Sequence, residues 1–356
     1  MNDYLADKQR VEAVLTAFFK RKLAAAEGID QVYADVVARV AELVARGGKR
    51  MRPQLVCLAY DAYGGTDLRA ITQVAASQEL FHAFLLTHDD IVDRDTKRWG
   101  GENINGYYQR KFLKKLWTEE AAHFSNAWAL LAGDACFGLS NELLLTSNFP
   151  PERLLRATNL TQKTLFEVIG GELLDIALPI FSSWQSPPSQ KRLLKVCHYK
   201  TAIYSFCTPL QLGALLAGAS LNQLDHLKNF GTQLGIAFQL RDDILGIFGD
   251  EKKLGKSNLS DLQEGKYTLL MTYGMKLANA GQRKTLTRLL GNPKATSADL
   301  QMVRQILKTS GALAKTETVM SGYCEKARAT LNLLNLPHSA AQDLAELVTF
   351  CAERTY

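Results

Sequence analysis

The chain has 356 residues, with 42 Lys and Arg against 36 Asp and Glu, a formal charge of +6. Apolar residues make up 47% and charged residues 22%, a globular mix that excludes disorder, and the glycines and prolines fall without period, which excludes a collagen-like or low-complexity chain. So small a positive excess, with no basic stripe interleaved with aromatics, points away from nucleic acid.

The start, MNDYLADKQR, has no apolar h-region, and the most apolar later stretch, Cys207 to Ala219, is interrupted by Pro209, Gln211 and Gly213. Neither a signal peptide nor a stable membrane span is expected. The six cysteines stand singly among apolar neighbours without CxxC spacing, so they read as buried free thiols of a cytoplasmic protein.

Apolar residues recur three or four apart in the runs Ala38 to Val44, Ile71 to Leu86, Ala121 to Leu145, Leu193 to Leu216 and Leu300 to Leu313. That period predicts helices almost throughout, roughly ten to twelve of them. Breaks are expected at Gly47-Gly48, Gly64-Gly65, Gly100-Gly101, Pro150-Pro151, Pro187-Pro188 and Asn292-Pro293. No repeat or composition shift divides the chain, so one all-α domain over residues 1–356 is expected. The stretch around Thr208 to Ala219 is apolar on most faces, which suggests a central helix.

Three constellations carry chemistry. In HDDIVDRD, Asp89 and Asp93 share a helix face, with Asp90 a quarter turn aside. Like charges at this spacing repel unless cations neutralise them, and an oxygen-only donor set favours a hard ion such as Mg²⁺. In FQLRDDILGIFGD, Asp242 and Asp243 again end an apolar helical stretch. The third constellation is basic: GGKRMRP packs Lys49, Arg50 and Arg52 into a short turn suited to a polyphosphate, with Pro53 starting the next helix. Arg98, Lys200-Thr201, Lys256 and Lys266 follow near predicted helix ends. Metals and cations around an apolar helical cavity imply a ligand with a diphosphate head and a hydrocarbon tail.

GGKRMRP, DDIVD and FQLRDDILGIFGD, in this order and at these separations, resemble the trans-type isoprenyl diphosphate synthases, also called polyprenyl synthetases. The resemblance covers residues 40 to 275 by motif. It implies the terpenoid-synthase-type helical bundle around a large central cavity, a homodimer, and head-to-tail addition of isopentenyl diphosphate to an allylic diphosphate. Carried over residue by residue, it assigns Asp89 and Asp93 to two Mg²⁺ on the allylic diphosphate and Asp242 to a third, with Asp90 and Asp243 beside them. Arg98, Lys200, Thr201, Gln239 and Lys256 would contact that diphosphate, with Lys266 nearby. Lys49, Arg52 and His82, seven residues before Asp89, would hold isopentenyl diphosphate. The implied chemistry is ionisation of the allylic C–O bond, condensation and proton elimination, the cation being steadied by oxygens near Lys200-Thr201 and Gln239.

The family commonly has Arg-Arg where this chain has Arg98-Trp99, and many members have a third Asp where this chain has Gly246. The first motif also lacks the two-residue insertion of bacterial farnesyl-type enzymes. Phe84 lies five residues before Asp89, about 7.5 Å back along a helix, and Phe81 lies three further on nearly the same face. This pattern resembles geranylgeranyl diphosphate synthases, which implies a twenty-carbon product with fifteen or twenty-five as neighbours. Other readings stay open at this point: a terpene cyclase of the same fold, a non-catalytic partner subunit suggested by Trp99, and a di-iron bundle suggested by Glu79-x-x-His82 and Glu120-x-x-His123.

Overall fold

The computed structural model describes residues 4–250 and 258–354. Helix dominates: sixteen α-helices and one π-helix lie among the described residues, with a single two-stranded hairpin. Two compact units form, one from the chain up to Asn159 together with Leu212–Gly218, the other from Leu160–Gln211 and from Ala219 onward.

The first unit contains α1 (Tyr4–Glu27), α2 (Gln31–Arg46), α3 (Met51–Ala62), α4 (Leu68–Val92), α5 (Ile104–Phe112) and α6 (Thr118–Leu145). Helix α4 is its axis. Asp67 caps it by accepting a hydrogen bond from the Ala70 nitrogen. From Val74 to Phe81 every residue is buried, the mark of a helix surrounded on all faces. The small residues Ala75, Ala76 and Ser77 allow α6 to come close enough for Ser140 to donate to the Ser77 carbonyl at 2.8 Å.

A long helix, α7 (Pro151–Phe181), leads from the first unit into the second. There follow α8 (Gln190–Val196), the π-helix Cys197–Cys207, α9 (Thr208–Ala217) and α10 (Leu221–Phe248). Then come α11 (Leu259–Glu264), α12 (Leu269–Leu277), α13 (Ala280–Leu289), α14 (Ser297–Thr309), α15 (Ala312–Leu334) and α16 (His338–Glu353). The chain from Thr208 to Leu216 is buried throughout, as its all-round apolarity suggests. On α10, Gly231 and Gly235 lie one turn apart, and a Cβ on either would overlap the backbone of Cys207 or Ala202. These glycines let the π-helix pack against α10.

Every expected break falls between elements or at an element's edge. The helix number is higher than the periodicity suggests because the last third is punctuated by side-chain caps at Thr268, Asn279 and Thr296, which interrupt the chain without Gly-Gly or Pro-Pro. The run Leu300 to Leu313 is two helices, divided where Gly311 takes a left-handed φ of 81°. Asp242 and Asp243 lie inside α10, which continues to Phe248 rather than ending at the acidic pair. All six cysteines are free and buried. Among the described residues, no helix is long and apolar enough to cross a membrane.

Candidate active site

In the first unit, the expected residues gather at the C-terminal end of α4, the turn between α2 and α3, and the hairpin of β1 (Lys97–Arg98) with β2 (Gly101–Glu102). Asp89 lies in the last turn of α4 and Asp93 is its C-cap, with the Asp93 nitrogen bonded to the Asp89 carbonyl at 2.8 Å. The two carboxylates therefore sit one turn apart at a helix end. Asp90 faces inward. Its carboxylate takes Arg98 Nη2 at 2.5 Å and Arg98 Nε at 2.8 Å, while Asp89 lies 3.7 Å from the same guanidinium. Burial lifts the Asp90 carboxyl to about 6 against the pull of Arg98.

The hairpin delivers Arg98. Its two central residues, Trp99 (φ 51°) and Gly100 (φ 75°), are both left-handed, the requirement of a type I′ turn. The neighbouring indole covers the basic turn: a Cβ on Gly47 would lie 3.0 Å from it, and its ring meets His82 edge-on at 6.4 Å between centroids. Trp99 thus occupies with aromatic surface the place where the family pattern has a second arginine. His82 is held neutral, its imidazole well below the usual range through burial and through the charges of Arg52, Arg98 and Arg50. Lys49 is exposed and Arg52 half-buried. Arg50 differs from both: only 3% exposed, it donates to Glu79 at 2.6 Å and to the Val44 carbonyl at 2.6 Å. Glu79 is thereby committed to an arginine, and His123 is exposed, so the spacing that suggested a di-iron site has another cause.

Phe81 and Phe84 are buried and meet edge-on at 5.8 Å. The structure adds a third ring, Phe137 on α6, at 5.2 Å from Phe84 and 6.2 Å from Phe81. His88 meets Phe84 edge-on at 4.9 Å and fits because α6 carries Gly133, where any Cβ would overlap the imidazole. Phe137 escaped sequence reading because it lies far along the chain, although a glycine inside a long helix signals close approach.

In the second unit, the π-helix carries Lys200 and Thr201. Lys200 Nζ bonds Glu172 at 3.0 Å and Asp175 at 2.8 Å, both from α7. Gly171 permits this approach, since a Cβ there would overlap the backbone of Tyr199 and Lys200. Thr201 donates to Gln239 Oε1 at 2.6 Å, and Gln239 Nε2 donates to Asp243 at 2.9 Å, forming a relay from the π-helix to α10. Burial lifts Asp243 to about 7, with Asp242 and Asp261 adding to that rise and Lys266 and Gln239 opposing it. Lys266 is enclosed. Burial disfavours its charge, but Asp261, Asp243, Asp175 and Asp242 outweigh that and raise it well above its ordinary value. Asp242 is half exposed and bonded to Arg354 at 2.9 Å. Gly246, where many family members have a third Asp, is small because the Asp261 carboxylate packs against it. Lys256 lies outside the described residues.

Among the described residues, no three His, Cys, Asp or Glu side chains already form a cage for an ion. The donors nevertheless fit a hard divalent cation. Mg²⁺ is ordinarily held by one or two carboxylates, with water and ligand phosphate completing its shell, and Asp89, Asp93 and Asp242 are oxygen donors of that kind. Sequence reading missed Glu172, Asp175, Asp261 and Arg354, whose neighbours are distant in the chain.

An all-α chain with two helix-borne aspartate sets and a π-helix lysine-threonine pair defines a terpenoid-synthase-type fold. Comparison with known proteins agrees: residues 34–307 match the model of the polyprenyl synthetase family. A geranylgeranyl diphosphate synthase from Sulfolobus acidocaldarius is 31% identical over 85% of this chain and 87% of its own length. A geranylfarnesyl diphosphate synthase from Aeropyrum pernix is 31% identical over 86% of this chain and 90% of its own. The crystal structure of a geranylgeranyl pyrophosphate synthase from Corynebacterium glutamicum, complexed with isoprenyl diphosphate and magnesium, superposes with a TM-score of 0.90 at 29% identity, covering 98% of each chain. The chain belongs to the polyprenyl synthetase family. It is a prenyltransferase whose reaction joins isopentenyl and allylic diphosphates.

Proposed function

We propose that this prenyltransferase makes geranylgeranyl diphosphate, using three Mg²⁺, with residues 1–356 acting as one synthase domain of a cytoplasmic homodimer. The observation that carries the product length is the ring cluster of Phe81 and Phe84, buried and set back along α4 from Asp89, with the half-buried Phe137 of α6 packed against both. Rings at this depth offer a floor for a growing hydrocarbon tail, and the twenty- and twenty-five-carbon names of the relatives agree with a floor of this kind. The magnesium in the Corynebacterium glutamicum complex supports use of the same ion. The free, buried cysteines support a reducing compartment.

Asp89 and Asp93 would hold two ions and Asp242 the third. Bound there, magnesium supplies Lewis-acid stabilisation of the departing diphosphate. The protein's own groups do the rest. Arg98, fixed by Asp90, presents a guanidinium suited to phosphate oxygens. Lys200, Lys256 and Lys266 add charge on the same allylic diphosphate. The Thr201–Gln239 pair, fixed through Asp243, sets oxygen dipoles where a carbocation develops. Lys49 and Arg52 bind isopentenyl diphosphate beside a neutral His82, which donates a hydrogen bond without adding charge. The new tertiary cation loses its proton to the released diphosphate, the nearest base. Apolar walls exclude the water that would otherwise quench the cation.

The test is incubation of the chain alone with labelled isopentenyl diphosphate, Mg²⁺ and dimethylallyl, geranyl or farnesyl diphosphate in turn, followed by product sizing. Twenty-carbon product from each primer is expected, and none after EDTA. A main product of fifteen or twenty-five carbons would overturn the assigned length, and absence of any product would overturn catalysis by this chain alone.

A further inference from the structure

Arg354, just past the end of α16, lies 112 residues from Asp242 in sequence, and its guanidinium reaches back to α10. Its Nη2 bonds Asp242 Oδ1 at 2.9 Å and the Phe238 carbonyl at 3.3 Å, and its guanidinium carbon lies 3.9 Å over the Phe238 ring. Phe238 and Asp242 are one turn apart, so a single planar cation spans both. The backbone is fastened too: Arg241 Nε donates to the Arg354 carbonyl at 2.9 Å, and the Arg354 nitrogen donates to the Phe350 carbonyl at 2.9 Å. The Arg354 side chain is 8% exposed, whereas that of Asp242 is 51% exposed.

We propose that Arg354 is a positioning residue for Asp242: it fixes one carboxylate oxygen so that the other is aimed at the metal ion. This rests on the reading of Asp242 as a metal ligand. The geometry favours positioning over competition. A cation that had to leave before metal entry would be held by its ion pair alone, but this one is anchored by the ring and carbonyl of Phe238 on α10, while its backbone is held by Arg241 of α10 and Phe350 of α16. Groups that hydrogen-bond a ligating carboxylate set its orientation, and their loss typically weakens metal binding about 10–100-fold.

The sign of one change tests this. Mn²⁺ is titrated into the full chain with inorganic diphosphate present, and free Mn²⁺ is read by electron paramagnetic resonance. Arg354→Gln is expected to weaken the Asp242-dependent site by about tenfold, and Arg354→Lys, which keeps charge but loses the fork, to weaken it less. In an Asp242→Asn background, Arg354→Gln should change nothing further. Unchanged or tighter Mn²⁺ binding in Arg354→Gln overturns the proposal, the tighter result being that of a competing cation. Should Arg354→Gln fail to fold, Arg354→Lys decides alone, an unchanged site overturning the proposal. Wild-type protein that binds no more Mn²⁺ than Asp242→Asn would instead remove the metal-ligand reading, and the proposal with it.

Discussion

Arg50 sits between Lys49 and Arg52 in a turn built for anions, yet its side chain enters the core and pairs with Glu79. The pair is almost wholly desolvated, with side chains 1% and 6% exposed. A buried ion pair adds little net stability, but removing one partner strands the other charge and costs about 3–5 kcal/mol. Arg50→Met should therefore lower unfolding free energy by about that much in urea denaturation, whereas exposed Lys49→Ala should leave stability within about 0.5 kcal/mol and raise the KM for isopentenyl diphosphate. Phe84 belongs to this scale as well. Phe84→Ala opens space below Asp89, and product analysis should show chains of twenty-five carbons or longer. An unchanged product would assign the ring to packing alone.

Among elements, the π-helix has the tightest requirements. Widening the backbone over Cys197–Cys207 turns Lys200 toward α7 and Thr201 toward α10, and three glycines admit it: Gly171 on one side, Gly231 and Gly235 on the other. Gly235→Ala places a methyl against the Ala202 backbone. Overpacking of this kind costs about 1–3 kcal/mol, and displacement of Thr201 from Gln239 by about 1 Å should reduce kcat by about 100-fold. Steady-state kinetics beside a thermal melt checks both. A loss of stability with kcat intact would show that the relay tolerates the shift. The hairpin makes a parallel point. Nothing in RWGG alternates like a strand, and Trp99 is an unfavourable left-handed residue, yet the turn holds Arg98 on Asp90.

For the whole molecule, the second unit's part of α7 leaves Phe166, Ile169, Leu173 and Ile180 between 48% and 81% exposed. Their spacing of three, four and seven residues makes one stripe along the helix, and a stripe this large ordinarily marks an interface. A second copy of the chain is the occupant the homodimer reading requires. Leu173→Asp should convert a dimer to a monomer in sedimentation velocity. A wild-type monomer at micromolar concentration would remove the homodimer from the reading.

The helical class, the main breaks and the residues of each acidic and basic motif were determined by the chain alone, because period, Gly and Pro breaks and charge spacing are local properties. The resemblance carried by GGKRMRP, DDIVD and FQLRDDILGIFGD likewise needed only order and separation, and family membership bears it out. Tertiary structure decided which charges are available. Asp89 and Asp90 are neighbours of one type, but burial and Arg98 claim Asp90. Lys49 and Arg50 are equally adjacent, and only Glu79, 29 residues on, separates their roles. Phe137, Glu172, Asp175 and Arg354 could not be read in advance, because a partner contributed by a distant helix is fixed by packing, which no local pattern encodes.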